Sequence, residues 1–122
     1  MSENKPAPCA IAVSRLASSV RVDLRGDANI DAVLAVAAAF DQAHARAISD
    51  GCDQVVVDVR HLEFMNSECF KKVLTWIGRV ASMGPPPPYR IRFISDARIS
   101  WQKRSLHALE SFAAGIVSVE KT

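Results

Sequence analysis

The stretch Gln54-Val55-Val56-Val57-Asp58-Val59 constrains this chain more than any other. Its valines leave no polar face. A strand with one side in water would alternate apolar and polar residues, and this one does not. It therefore reads as a central strand, parallel to its neighbours and covered on at least one face. Parallel neighbours need crossover helices, and the flanking sequence supplies them. Upstream, Gly26-Asp27-Ala28-Asn29 stops a strand and offers Asp27 or Asn29 as a helix cap. Ile30, Val33, Leu34, Ala37 and Phe40 follow at helical spacing, and Gly51 closes that helix. Downstream, Phe70, Val73, Leu74, Ile77 and Ala81 trace the clearest amphipathic helix in the chain, which ends at Gly84.

The remaining segments complete the pattern. Val20, Val22 and Leu24 alternate with Arg21, Asp23 and Arg25, as in a half-buried strand. The weaker alternation of 10–16, ending in Ala17-Ser18-Ser19, makes a hairpin with it. Pro85-Pro86-Pro87-Pro88 can neither continue a helix nor enter a sheet, and reads as a stiff extended spacer. Tyr89, Ile91 and Phe93 alternate with Arg90 and Arg92 in another strand. Trp101, Ser105, Ala108, Leu109 and Phe112 share a helical face behind a cap at Ser100. Gly115 ends that helix, and 116–119 is a last short strand. The order β-β-α-β-α-β-α-β predicts a single α/β domain with a mixed sheet of about five strands packed against helices. That domain spans 10–122, behind a polar, proline-bearing tail at 1–9.

Composition narrows the functional classes. A net charge of +2 is too small to imply nucleic acid. No apolar run approaches the roughly 20 residues of a spanning helix, so no membrane insertion is expected. The N-terminus lacks a charged-then-apolar leader. Cys9, Cys52 and Cys69 are odd in number and show no CxxC spacing, which fits a reducing cytoplasm without disulfides or zinc. His44, His61 and His107 are scattered, so no metal site is expected. There is no phosphate-binding glycine loop and no identifiable nucleophile–base pair. We therefore expect no cofactor and no enzyme. The basic stretch of Arg90, Arg92, Arg98, Lys103 and Arg104, with Trp101 nearby, reads as a solvated face, the alternative being a secondary role towards acidic partners or nucleotide phosphates.

Three stretches resemble one family. Val22-Asp23-Leu24-Arg25-Gly26-Asp27-Ala28-Asn29 is similar to its strand, glycine, polar, helix opening. The segment from Val55 to Ser67 resembles its most specific stretch: a buried strand ending in Asp, a hydrophobic-Glu-Phe-hydrophobic turn (Leu62-Glu63-Phe64-Met65), and a helix start. Leu109-Glu110-Ser111-Phe112 followed by Ile116-Val117-Ser118-Val119 is similar to its close. The family is the STAS domain, which includes the anti-sigma factor antagonists. The resemblance covers roughly residues 10–119 and implies a STAS-like fold. It also implies a non-enzymatic protein-binding module of bacterial partner switching, whose partner is an anti-sigma factor or serine kinase. A STAS-type docking subunit of a transporter or stress-signalling complex, without a switch, is the alternative. Self-association as a homodimer is left open.

The family's Asp-Ser-Ser-Gly at the switch is here Asn66-Ser67-Glu68-Cys69, so Glu68 stands at the phosphoacceptor position. The switch and partner-binding set carried over is Asp58, Asn66, Ser67, Glu68, Cys69, Lys71 and Lys72. Asn66 can cap the helix as Asp would. Glu68 in the first turn meets free amides and the positive helix end, worth about 0.3–1 kcal/mol, and is spaced to pair with Lys72. It is either a helix-stabilising acid or a permanent charge imitating phosphate with a single negative charge. Ser67 offers an alternative acceptor hydroxyl. Cys69, near the same helix end, raises a redox-sensor reading, because a thiolate is favoured there. Against it stand the adjacent Glu68 anion and the lack of a resolving cysteine nearby in sequence. The competing reading is a small buried side chain at the family's glycine position.

Overall fold

The computed structural model describes residues 8–122. Its sheet has the order β1 (Ala10–Leu16), β2 (Ser19–Ala28), β3 (Gln54–Met65), β4 (Arg90–Ser95) and β5 (Val117–Lys121). The first pair is antiparallel and the other three are parallel. Each parallel step is bridged by one helix: α1 (Val33–Asp50), α2 (Ser67–Ser82) and α3 (Ser100–Phe112). Because the strands follow one another in sequence order, right-handed crossovers place all three helices on one face.

Strand alternation agrees with that placement. Val20, Val22 and Leu24, Val55, Val57 and Val59, and Ile91 and Phe93 point into one core with Phe40, Val73, Ile77 and Leu109 of the helices. The alternate residues, Arg21, Asp23, Asp58 and Arg92, lie on the opposite face and form ion pairs there. The predicted mixed five-stranded sheet and three helices are therefore found. Of the tail expected at 1–9, residues 1–7 lie outside the described residues. Cys9 is half-buried against the core, so it belongs to the domain.

Several boundaries differ from the sequence reading. Gly26-Asp27-Ala28 does not stop β2. The strand continues to Ala28, with register shifts between Asp23 and Arg25 and between Gly26 and Asp27. Gly26, at φ 85°, sits in this irregular stretch, where a residue without Cβ tolerates the left-handed backbone. Likewise β3 does not end near Val59. It runs to Met65 beside β2 after leaving β4 at the Asp58–Ile94 pair. Asn29 occupies the position before a 3-10 turn (Ile30–Ala32), but neither its side chain nor that of Asp27 caps it.

The buried helix faces are also turned from those predicted. On α1 the core takes Val36, Ala39, Phe40, Ala43 and Ala47, while Ile30 and Leu34 are exposed. An alanine-rich helix has little contrast between faces, so composition does not say which side turns inward. On α2 the buried set is Cys69, Val73, Trp76, Ile77 and Val80, with Ala81 exposed. On α3 it is Gln102, Leu106 and Leu109, with Ala108 and Phe112 exposed. The residue before α3 is Ile99, so Ser100 is its first residue rather than its cap.

Candidate functional site

The start of α2 is fixed from three directions. The Asn66 amide donates to Ala28 O (2.8 Å), which ties the helix to the end of β2. The Asn66 side-chain oxygen accepts from the Glu68 amide (2.7 Å), satisfying one of the free N–H groups of the first turn. Beneath them, Cys69 Sγ donates to Asn29 O (3.4 Å). Asn66 is therefore the predicted cap, and the helix starts at the predicted residue.

Ser67 and Glu68 are both exposed on this anchored turn. Glu68 pairs with Lys71 Nζ at 3.0 Å, three residues on, rather than with Lys72. Lys72 turns instead towards α1, where it lines a groove with Ala37, Asp41, Thr75 and Arg79. The 3-10 turn packs against α2. Around this end the chain leaves large apolar side chains in water: Ile30 at 62%, Leu34 at 82% and Phe64 at 44% exposure. An exposed carboxylate and hydroxyl, two lysines and an apolar surround thus share one end of the molecule.

Two predicted members do not belong to this group as expected. Asp58 does not end its strand beside the switch. It lies in mid-strand on the face away from the helices, where it accepts from Arg21 and from Arg60 Nη2 (2.7 Å) and Nε (3.1 Å). Burial alone would raise its carboxyl, but the hydrogen bonds and charge of Arg60, with the Arg21 charge, hold it below the ordinary value. Its role is to anchor the arginines that cover the open sheet face. Cys69 also differs from the redox reading. It is fully buried, and burial, with the charges of Asp31 and Glu68, pushes its thiol up, so the reactive thiolate is disfavoured.

The basic stretch is largely engaged locally. Arg92 pairs with Glu120 (3.2 Å), Arg90 donates to Gly115 O (3.1 Å), and Arg98 holds the Asp96 carboxyl down to about 2. The Trp101 indole N–H donates to Leu62 O (3.0 Å), so it supports the site from behind rather than meeting a partner.

Sequence reasoning overlooked Gln102. Where β3 parts from β4, its carbonyls lose their strand neighbour, and the buried Gln102 amide takes that place. It donates to Val59 O and to Leu62 O (3.1 Å) and accepts from the Asp96 amide (2.9 Å). This holds the arm of β3 that delivers Phe64 and Asn66. A glutamine in a polar helix carries no mark of such a task, and only the departure of β4 creates it.

No known family model matches the chain, and no curated protein matches it in sequence. Solved structures do match in shape. An anti-sigma factor antagonist from Mycobacterium paratuberculosis superposes with a TM-score of 0.69 at 14% identity, over 94% of this chain and 87% of that one. An uncharacterized DUF3478-family protein with a SpoIIAA-like fold from Shewanella loihica PV-4 gives 0.56 at 13% identity, over 98% and 89%. The chain therefore has the SpoIIAA-like fold, as its sequence pattern led us to expect.

Proposed function

We propose that this chain is a STAS-type, non-enzymatic protein-binding module of bacterial signal transduction. It acts in partner switching as an anti-sigma factor antagonist does, with Glu68 as a fixed carboxylate in place of the phosphoacceptor serine. The observation that carries this reading is the exposed Glu68 on the capped first turn of α2, at the end of the molecule that also exposes Ile30, Leu34 and Phe64. A regulatory anion must be reachable and must sit where the backbone tolerates negative charge, and a helix start meets both needs. The apolar surround supplies the area that binding a protein partner needs. The partner is an anti-sigma factor or serine kinase in the cytoplasm.

A kinase of that type has no hydroxyl to modify at Glu68. Glu68→Ser restores one and removes a negative charge. We expect the variant to become a substrate for a matching kinase. Its unphosphorylated form should bind that kinase more tightly, because an interfacial carboxylate without a partner is costly to desolvate. Titration of both forms with phosphopeptide mapping tests this. Phosphate on Ser67 of the unmodified chain would make that residue the relocated acceptor. Equal affinities and no phosphate on either residue would leave Glu68 as a helix-stabilising acid and the chain as a docking module without a switch.

A further inference from the structure

The two edges of the sheet are not alike. β5 is five residues long and ends in Glu120 and Lys121, charges of the kind that deter strand pairing. β1 is seven residues long and has no proline and no register break against β2. Its single charge, Arg15, is held to Asp50. Ala10, Ala12, Ser14 and Leu16 are exposed. Its outer backbone groups have no strand partner among the described residues, so they form a template for another strand.

The helix above this edge presents a matching flank. A groove of about 300 Å³ lies between Ile11 and Val13 of β1 and Ala35, Ala38, Ala39 and Gln42 of α1. Helical spacing carries the same flank on to Arg46. Asp31 stands at the other end, in the 3-10 turn. Neither Asp31 nor Arg46 has an ion partner among the described residues. The flank is thus small and apolar in its middle, acidic at one end and basic at the other. A surface of that kind is complementary to itself when turned end for end.

We propose that the chain self-associates through this surface, β1 against β1 in antiparallel pairing. The two-fold axis stands perpendicular to the sheet near Val13. α1 runs in the direction of β1, since both are antiparallel to β2, so the same rotation sets the two α1 helices antiparallel. The two grooves then merge, and Arg46 of each copy reaches the Asp31 end of the other. A parallel pairing would need a two-fold axis along the strands, which puts the two α1 helices on opposite faces of the joined sheet and leaves Asp31 and Arg46 of each copy without the other's charge. Only the antiparallel pairing brings the flanks together. The occupant of the edge is a second copy.

Sedimentation of the full chain over a concentration series, with hydrogen exchange at each concentration, tests this. We expect a reversible dimer and β1 amides that gain protection with concentration while β5 amides do not. Arg46→Glu should weaken association about tenfold or more, and adding Asp31→Arg should restore it. Ala38→Trp puts bulk on an exposed position in the middle of the flank and should abolish the dimer while leaving the circular dichroism of the fold intact. A chain that stays monomeric at every soluble concentration would overturn the proposal. So would a dimer indifferent to Arg46→Glu and Ala38→Trp, or β1 protection that appears only when another protein is added.

Discussion

At Asp58 a single carboxylate organises a face of the sheet that no helix covers among the described residues. Its oxygens take Arg21 and Arg60 from either side, and Arg21 also reaches Asp23 (3.1 Å). With these arginines lying over the sheet, Val56 and Ile94 are 5% and 7% exposed although no helix packs on them. Asp58→Asn keeps the shape and removes the charge. Because both arginines reach solvent, we expect a loss of about 1–2 kcal/mol rather than the larger cost of stranding a fully buried charge. Urea unfolding at neutral pH measures it. The pH dependence has a definite sign. A carboxyl held below its unfolded value contributes stability above that value, and the contribution is lost as pH falls through it towards the folded one. The difference in stability between the native chain and Asp58→Asn should therefore shrink in acid. The partner binding proposed for Glu68, on the helix side, should be untouched by this change.

Among the elements, β3 carries the most structural information, because its two halves have different neighbours. Up to Asp58 it lies between β2 and β4; beyond, it has β2 on one side and the Gln102 amide on the other. Gln102→Leu preserves bulk but leaves the Val59 and Leu62 carbonyls and the Asp96 amide without this partner. We expect a cost of about 1–3 kcal/mol and faster amide exchange confined to 59–65. Uniform exchange changes across the sheet would contradict the local role. The same element shows what was legible beforehand. Its valine run fixed the parallel core, and Asn66-Ser67-Glu68 marked the helix start, because both signals are local in sequence. The continuation of β3 to Met65 was not legible, since it depends on bulges against β2 and on a side chain far along the chain, that of Gln102. The face of α1 was not legible either, because alanines on every side give no preferred stripe. The place of Asp58 is legible only once the core face is known: with Val57 and Val59 turned to the helices, alternation turns Asp58 to the opposite face, and a run of valines on both sides does not say which face the helices cover.

Across the molecule, the C-terminal halves of α1 and α2 are tied to Tyr89 by a partly buried polar chain that contains a titratable histidine. The Trp76 indole N–H donates to the Tyr89 hydroxyl (2.8 Å), and that hydroxyl lies 2.7 Å from His44 Nδ1. Tyr89 has one proton to give. With its oxygen already accepting from Trp76, it donates to Nδ1, which fixes His44 as the neutral tautomer protonated at Nε2. Burial, together with the charge of Arg79, lowers the His44 pKa against the opposing effect of Asp41. Burial pushes the Tyr89 hydroxyl up to about 12, so it remains a donor throughout the physiological range. A charged His44 would place a second donor against Tyr89 and leave the hydroxyl proton without an acceptor. Lowering the histidine pKa in the folded state means that the unfolded chain binds more protons as pH falls. The stability contribution is therefore complete above the unfolded value, about 6.5, and is lost as pH falls through it towards the folded value. We expect the urea midpoint of the native chain to decline between pH 8 and pH 5. His44→Leu should lower the midpoint at pH 8, where the hydrogen bond is intact, and flatten the decline, so that the two proteins converge in acid. A decline equally steep in His44→Leu would assign the pH dependence to other groups and leave the chain of Trp76, Tyr89 and His44 as packing alone.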